Sequence, residues 1–168
     1  MISKKEIIEA HNRIEKYIHR TPIMSPEYIN NHLSCNIYFK CENFQKVGAF
    51  KSRGAINADD AYMSMIENKI IPSNNPTTLA DILLTSSGKS TFPIIKEYIE
   101  RIFTCKEKTI VDAMKIILER MKIIIEPSSS TALAIIMENK DYFKNKKIGI
   151  ILSGGNIDLN IYFDSFTN

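Results

Sequence analysis

Residues 44–55 read Phe-Gln-Lys-Val-Gly-Ala-Phe-Lys-Ser-Arg-Gly-Ala, and they put Lys51 in a setting that a surface lysine does not require. Gly48 and Ala49 precede it, Phe50 stands directly before it, and Gly54 follows. An amine so placed has a definite chemical use. It condenses with an aldehyde to a Schiff base, and a neighbouring apolar side chain shields the product. The small residues let the backbone come close to a flat group. The same pattern also suits an exposed lysine at a helix start, and local sequence leaves both readings open.

Working outward, Asn36–Cys41 (NIYFKC) alternates Ile37, Phe39 and Cys41, which predicts a strand leading into the lysine segment. The run from about Ser52 has the character of a helix start. Ser3 and Glu6 form a capping-box pattern and Ile7, Ile14 and Ile18 share a face, predicting a first helix to about Ile18. Residues 72–78, PSNNPTT, read as a linker. Thr91-Phe92-Pro93 opens a helix with proline in its first turn. Thr104 and Glu107 form a second capping-box pattern. Behind it Ile110, Val111, Met114, Ile117, Leu118 and Met121 make a helical stripe that belongs in a core. Ser128–Met137 predicts another helix. Lys147–Leu152 (KIGIIL) reads as a buried strand running into Ser153-Gly154-Gly155. Alternating helices and strands make the class α/β. A Ser-Gly-Gly turn at the carboxyl end of a strand sits where open α/β sheets bind ligands.

Composition excludes several function classes. The chain has 168 residues, 44% of them apolar, as a globular domain does. Its net charge of +3 comes from scattered lysines, without the basic stripe and interleaved aromatics of a nucleic-acid binder. No apolar run approaches the ~18 residues of a membrane span, so no membrane association is expected. Cys35, Cys41 and Cys105 form no CxxC pair, and the N-terminus lacks an apolar signal region. A cytoplasmic location is the expectation. His11, His19 and His32 share no metal-ligand spacing, so no metal site is expected. TSSGKS, residues 85–90, looks like half a P-loop, but no earlier glycine stands at the required spacing, and it reads as a turn.

Taken together, FKCENFQKVGAFKSRGA and the upstream HRTPI (His19–Ile23) resemble the cofactor-lysine region of fold-type II pyridoxal-phosphate enzymes, the tryptophan synthase β-like group. Within it the chain is most similar to the serine racemases and serine/threonine dehydratases. AYMSMIENKIIPSNNPTTLADI, ERMKIIIEPSSS and IILSGGNIDL resemble the C-terminal half of those enzymes, in the same order. The resemblance implies an open, mostly parallel sheet with flanking helices. It also implies pyridoxal 5'-phosphate as cofactor and a small amino acid such as serine or threonine as substrate, either racemised or deaminated. By the same resemblance Lys51 would hold the cofactor aldehyde and remove the substrate α-proton. Phe50 would lie against the pyridine ring, Ser153 would hydrogen-bond the ring nitrogen beside Gly154, and Glu126 would stand near the ring. Lys46, Lys122 and Asn156 match positions that contact a nucleotide effector in some members, whereas Pro26 and Glu27 depart from that pattern.

The resemblance also implies a loss. Members are about twice this length, and GAINA, ending at Ala58, passes at once into DDAYMSMIENK, which resembles a segment far downstream. The expected division is an N-terminal segment, 1–58, carrying the cofactor lysine, and a C-terminal part of the large domain, 59–168. The small domain, the glycine-rich phosphate loop and the divalent-metal carboxylates would be missing. Composition agrees on the phosphate loop: of six glycines only Gly154 and Gly155 adjoin, too few for a nest of backbone N–H groups. Three readings follow: an impaired enzyme; a non-catalytic remnant that pairs with itself or a full-length relative; or a splicing or gene-model artefact in a longer protein.

Overall fold

The computed structural model describes residues 3–15, 18–45, 48–50, 80 and 92–167. The helix expected from about Ser52, the linker at 72–78, the TSSGKS stretch, Lys46, Lys51 and the Ala58–Asp59 join lie outside the described residues.

Among the described residues three strands form one sheet: β1 (Ile23–Met24), β2 (Asn36–Cys41) and β3 (Lys147–Leu152), in the order β1-β2-β3. The alternation in NIYFKC is realised residue by residue: Ile37, Phe39 and Cys41 are buried and the residues between them are not. β2 and β3 pair in parallel over their full six-residue length, Asn36 opposite Lys147 through Cys41 opposite Leu152. β1 pairs antiparallel with β2 over two residues, so the described sheet is mixed, with the parallel ladder the longer part. KIGIIL is buried on one face only: Ile150 and Leu152 point into the core, while Ile151 is exposed. That corrects the expectation of a fully buried strand.

Seven helices occur among the described residues: α1 (Lys4–Ile14), α2 (Glu27–Leu33), α3 (Phe92–Tyr98), α4 (Glu107–Met121), α5 (Pro127–Glu138), α6 (Lys140–Phe143) and α7 (Leu159–Asp164). α3, α4 and α5 fall where the sequence predicts them. The first helix is shorter than predicted, ending at Ile14 with Ile18 exposed. Further along, the His19 N–H donates to Gln45 Oε1 (2.8 Å) and its carbonyl accepts from Gln45 Nε2 (3.1 Å).

The predicted Thr104–Glu107 box also does not form. Lys106 is the N-cap of α4, without a side-chain bond of its own. Glu138, at the far end of α5, supplies the missing acceptor: its Oε1 takes the Lys106 N–H (2.9 Å) and the Thr109 hydroxyl. The core lies between the sheet and these helices. Ile110, Met114 and Ile117 of α4 meet Leu133 and Ile136 of α5, with Ile37, Phe39, Ile150 and Leu152 beneath. Burying each such side chain is worth ~1.5–3 kcal/mol. None of the described helices is long and apolar enough to cross a membrane.

Candidate active site

The candidate site is built where β3 ends and α5 begins. Just after β2, a 3-10 turn over Glu42–Phe44 reverses the chain. Contacts with the HRTP segment hold it. The Thr21 hydroxyl donates to Glu42 Oε1 (2.8 Å), Lys40 Nζ reaches the Thr21 carbonyl (2.6 Å), and the His19 ring nitrogen Nδ1 lies 3.1 Å from the Phe44 carbonyl. Gly48 N–H then donates to the Gln45 carbonyl (2.7 Å).

Gly48 has φ +68°, in the left-handed region, and its α-carbon abuts the Asn156 side chain so closely that a Cβ would overlap Oδ1. The glycine before the lysine segment is therefore required by backbone geometry and by Asn156. Closeness to a flat group need not be invoked for it.

Residues 48–50 and 153–155 clasp each other. Gly155 N–H donates to the Gly48 carbonyl (2.9 Å), Phe50 N–H donates to the Ser153 carbonyl, and Ala49 and Gly154 form an antiparallel bridge. The clasp joins the segment that ends in Lys51 to the Ser-Gly-Gly turn. Under the turn lies the N-terminus of α5. Glu126 is its N-cap residue and Pro127 occupies the first turn, a position that suits proline because that N–H has no helical partner. Glu126 is buried, its N–H donates to the Gly154 carbonyl (3.1 Å), and Ser128 Oγ donates to its Oε1 (2.9 Å). A Cβ on Gly154 would come within 2.7–2.8 Å of the Glu126 carboxylate, so only glycine fits there.

Ser153 Oγ, half-buried at the strand end, lies 2.9 Å from Ser129 Oγ and 3.5 Å from Glu126 Oε1. Ser129 was not among the residues singled out from sequence. It is buried, and its hydroxyl accepts the Gly154 N–H (2.8 Å) and donates to the Gly154 carbonyl (2.9 Å). The run of three serines after Pro127 was the available signal, but one strand end and one helix start had to be brought together to separate them. Ser130 faces the other way, bonding the Ile110 and Pro127 carbonyls.

Of the residues expected to act, the structure brings together Phe50, Glu126, Ser153 and Gly154. Lys122 is exposed at the C-cap of α4 in a left-handed conformation, and Asn156 is exposed beside Gly48. The chemistry of the cluster fits the ring end of a pyridine cofactor. A neutral serine hydroxyl can donate to a pyridine nitrogen or accept from its protonated form, and Gly154, lacking a Cβ, leaves room for the Glu126 carboxylate beneath the turn.

Comparisons with known proteins give the frame. The pyridoxal-phosphate dependent enzyme family matches residues 57–154, more than half of the chain. The chain is 42% identical over 102 residues to a beta-hydroxyaspartate dehydratase of Paracoccus denitrificans, covering 61% of this chain and only 32% of that enzyme. Against the serine racemase of Dictyostelium discoideum identity is 28% over 310 positions, covering 94% of this chain and 96% of the relative. With 168 residues here, at least 142 of those 310 positions have no counterpart in this chain. The crystal structure of that racemase superposes with a TM-score of 0.82 at 28% identity, covering 94% of this chain and 99% of that one. Fold, family match and relatives agree: the chain belongs to the pyridoxal-phosphate dependent enzyme family, among its racemases and ammonia-lyases.

Proposed function

We propose that the chain is a shortened member of the serine racemase and serine/threonine dehydratase group, acting on small hydroxy amino acids through Lys51. What supports this reading above all is the clasp, in which Phe50, the residue before Lys51, is tethered to Ser153 over the buried Glu126–Ser129 floor. Lys51 would hold the aldehyde of pyridoxal phosphate and move the substrate α-proton. Phe50 would pack against the ring, and Ser153 and Gly154 would form its nitrogen end. Glu126 would stand beside the ring. The bound cofactor would supply the electron sink that makes the α-hydrogen of an amino acid acidic. Loss of that hydrogen with the β-hydroxyl of serine releases water and, after hydrolysis, pyruvate and ammonia; return of the proton on the other face gives the enantiomer.

The missing length, placed at the Ala58–Asp59 join, would remove the glycine-rich phosphate loop. Several charge-assisted hydrogen bonds at ~1.5–3 kcal/mol each would go with it, weakening the cofactor by several powers of ten. We therefore propose an impaired enzyme, with Lys46, Lys122 and Asn156 as remnants of an effector site and without the family's metal site. The test is an absorbance spectrum after incubation with pyridoxal phosphate, beside Lys51→Ala. A visible cofactor band present in the parent and lost in the variant is expected, with slow pyruvate formation from L-serine. Equal labelling of both proteins would refute the role of Lys51.

A second reading, self-association, is favoured by one observation: Ile23, Tyr38 and Ile151 are 66%, 43% and 39% exposed. The register places all three on the same face of the sheet, Ile23 opposite Lys40 and Ile151 opposite Lys40 from the other side. Light scattering separates the readings: a monomer at micromolar concentration rules association out.

A further inference from the structure

Ser153 has one hydroxyl proton, and its direction decides what the residue can offer a ring nitrogen. A serine hydroxyl carries one donor and two acceptor lone pairs. Around the turn there are more contacts than protons. Ser129 Oγ accepts the Gly154 N–H at 2.8 Å, which uses one lone pair. Its proton can then go to the Gly154 carbonyl, 2.9 Å away, or to Ser153 Oγ, also 2.9 Å away. In the first arrangement the 2.9 Å pair is held only if Ser153 donates to Ser129, and Ser153 presents lone pairs outward. In the second Ser153 keeps its proton free for an outside acceptor. The competing acceptor, Glu126 Oε1, is 3.5 Å from Ser153 and already takes the Ser128 hydroxyl at 2.9 Å. It is the weaker claimant.

We propose that Ser129 is a positioning residue that sets the hydroxyl direction of Ser153, and so tunes the contact between this chain and the nitrogen of a bound pyridine ring. The inference deepens the functional reading and rests on it. Ser129 is 2% exposed and lies beneath the turn, so it acts through Ser153 and the Gly154 peptide, with no contact to solvent of its own. One side chain bonds both the N–H and the carbonyl of Gly154 and also reaches the neighbouring hydroxyl. Its removal frees the turn and the proton together.

The test is a double-mutant cycle on the full chain with pyridoxal phosphate, reading the dissociation constant and the absorbance maximum of the bound cofactor. Parent, Ser129→Ala, Ser153→Ala and the double variant are compared, with Lys51→Ala as the control for specific uptake. Ser129→Cys, close in volume and a weak hydrogen-bonding group, replaces Ser129→Ala if the alanine variant does not fold. Ser129→Ala should weaken binding roughly 3- to 10-fold, as loss of one buried hydrogen bond does, and displace the absorbance maximum. In the Ser153→Ala background the same change should matter by less than about 2-fold. Additive effects with an unmoved maximum overturn the proposal and leave the Lys51 reading standing. Absence of a Lys51-dependent band in the parent overturns that reading, and the proposal with it.

Discussion

The two ends of α5 use side-chain oxygens in opposite ways. At the N-terminus a buried carboxylate and two serine hydroxyls, from Glu126, Ser128 and Ser129, turn inward beneath the Ser153–Gly154 peptide. At the C-terminus the exposed Glu138 carboxylate reaches outward to the first turn of another helix, α4. The first end builds a surface that could meet a ligand. The second closes a helix whose N-cap residue, Lys106, makes no side-chain bond of its own. Between them the helix is apolar, with Leu133, Ala134 and Ile136 buried. One helix thus carries the candidate site at one end and the cap of α4 at the other, joined by a buried apolar middle.

The comparison can be broken at three places. Leu133→Ala, in the fully buried middle, should strike both ends at once by loosening α5 from α4 and the sheet, at a cost of ~2–5 kcal/mol by denaturant unfolding. If only one end were affected, the two would not share a support. Gly154→Ala should act at the N-terminal end alone. Its new Cβ must displace the Glu126 carboxylate, costing ~1–3 kcal/mol of stability and abolishing any Lys51-dependent cofactor band. A variant that still takes up cofactor would show the turn to be more yielding than its 2.7 Å clearance implies.

Glu138→Gln should act at the C-terminal end alone and weakly, ~0.5–1 kcal/mol, as an exposed cap does. Its pH signature sharpens the assignment. Partial burial raises the Glu138 pKa. Hydrogen bonds from Thr109 and the Lys106 backbone, with the Lys106 charge, outweigh that and hold the carboxyl below its ordinary 4.5. A depressed folded-state pKa contributes stability that is present above about 4.5 and is lost as pH falls through the lower folded value. Parent and variant melting temperatures should therefore differ at neutral pH and converge in acid.

Much of the scaffold was legible because its signals are local. The period-two alternation of Ile37, Phe39 and Cys41 and the 3.6-residue stripe from Ile110 to Met121 each depend on one segment meeting one core. The pieces that were not legible depend on two segments meeting. Glu138 sits 29 residues from Thr109 in sequence, and no short pattern announces that it will replace the Thr104–Glu107 box. β1 is two residues long and exists only because β2 lies beside it. In the candidate site Phe50, Glu126, Ser153 and Gly154 could be named through the resemblance to the family. Ser129 could not, since its role comes from a 2.9 Å approach between residues 24 positions apart.

The clasp between residues 48–50 and 153–155, continued by the six-residue pairing of β2 with β3, has a consequence for how this family can change size. Closing a chain segment on itself costs entropy that grows only with the logarithm of its length. An insertion of about 140 residues between Cys41 and Lys147 would raise that cost by only about 1 kcal/mol. The seam is nearly blind to the polypeptide that runs between its two sides. Evolution could therefore take material out of, or put it into, the intervening chain while the two edges of the seam went on recognising each other, since their register is written into the strands themselves.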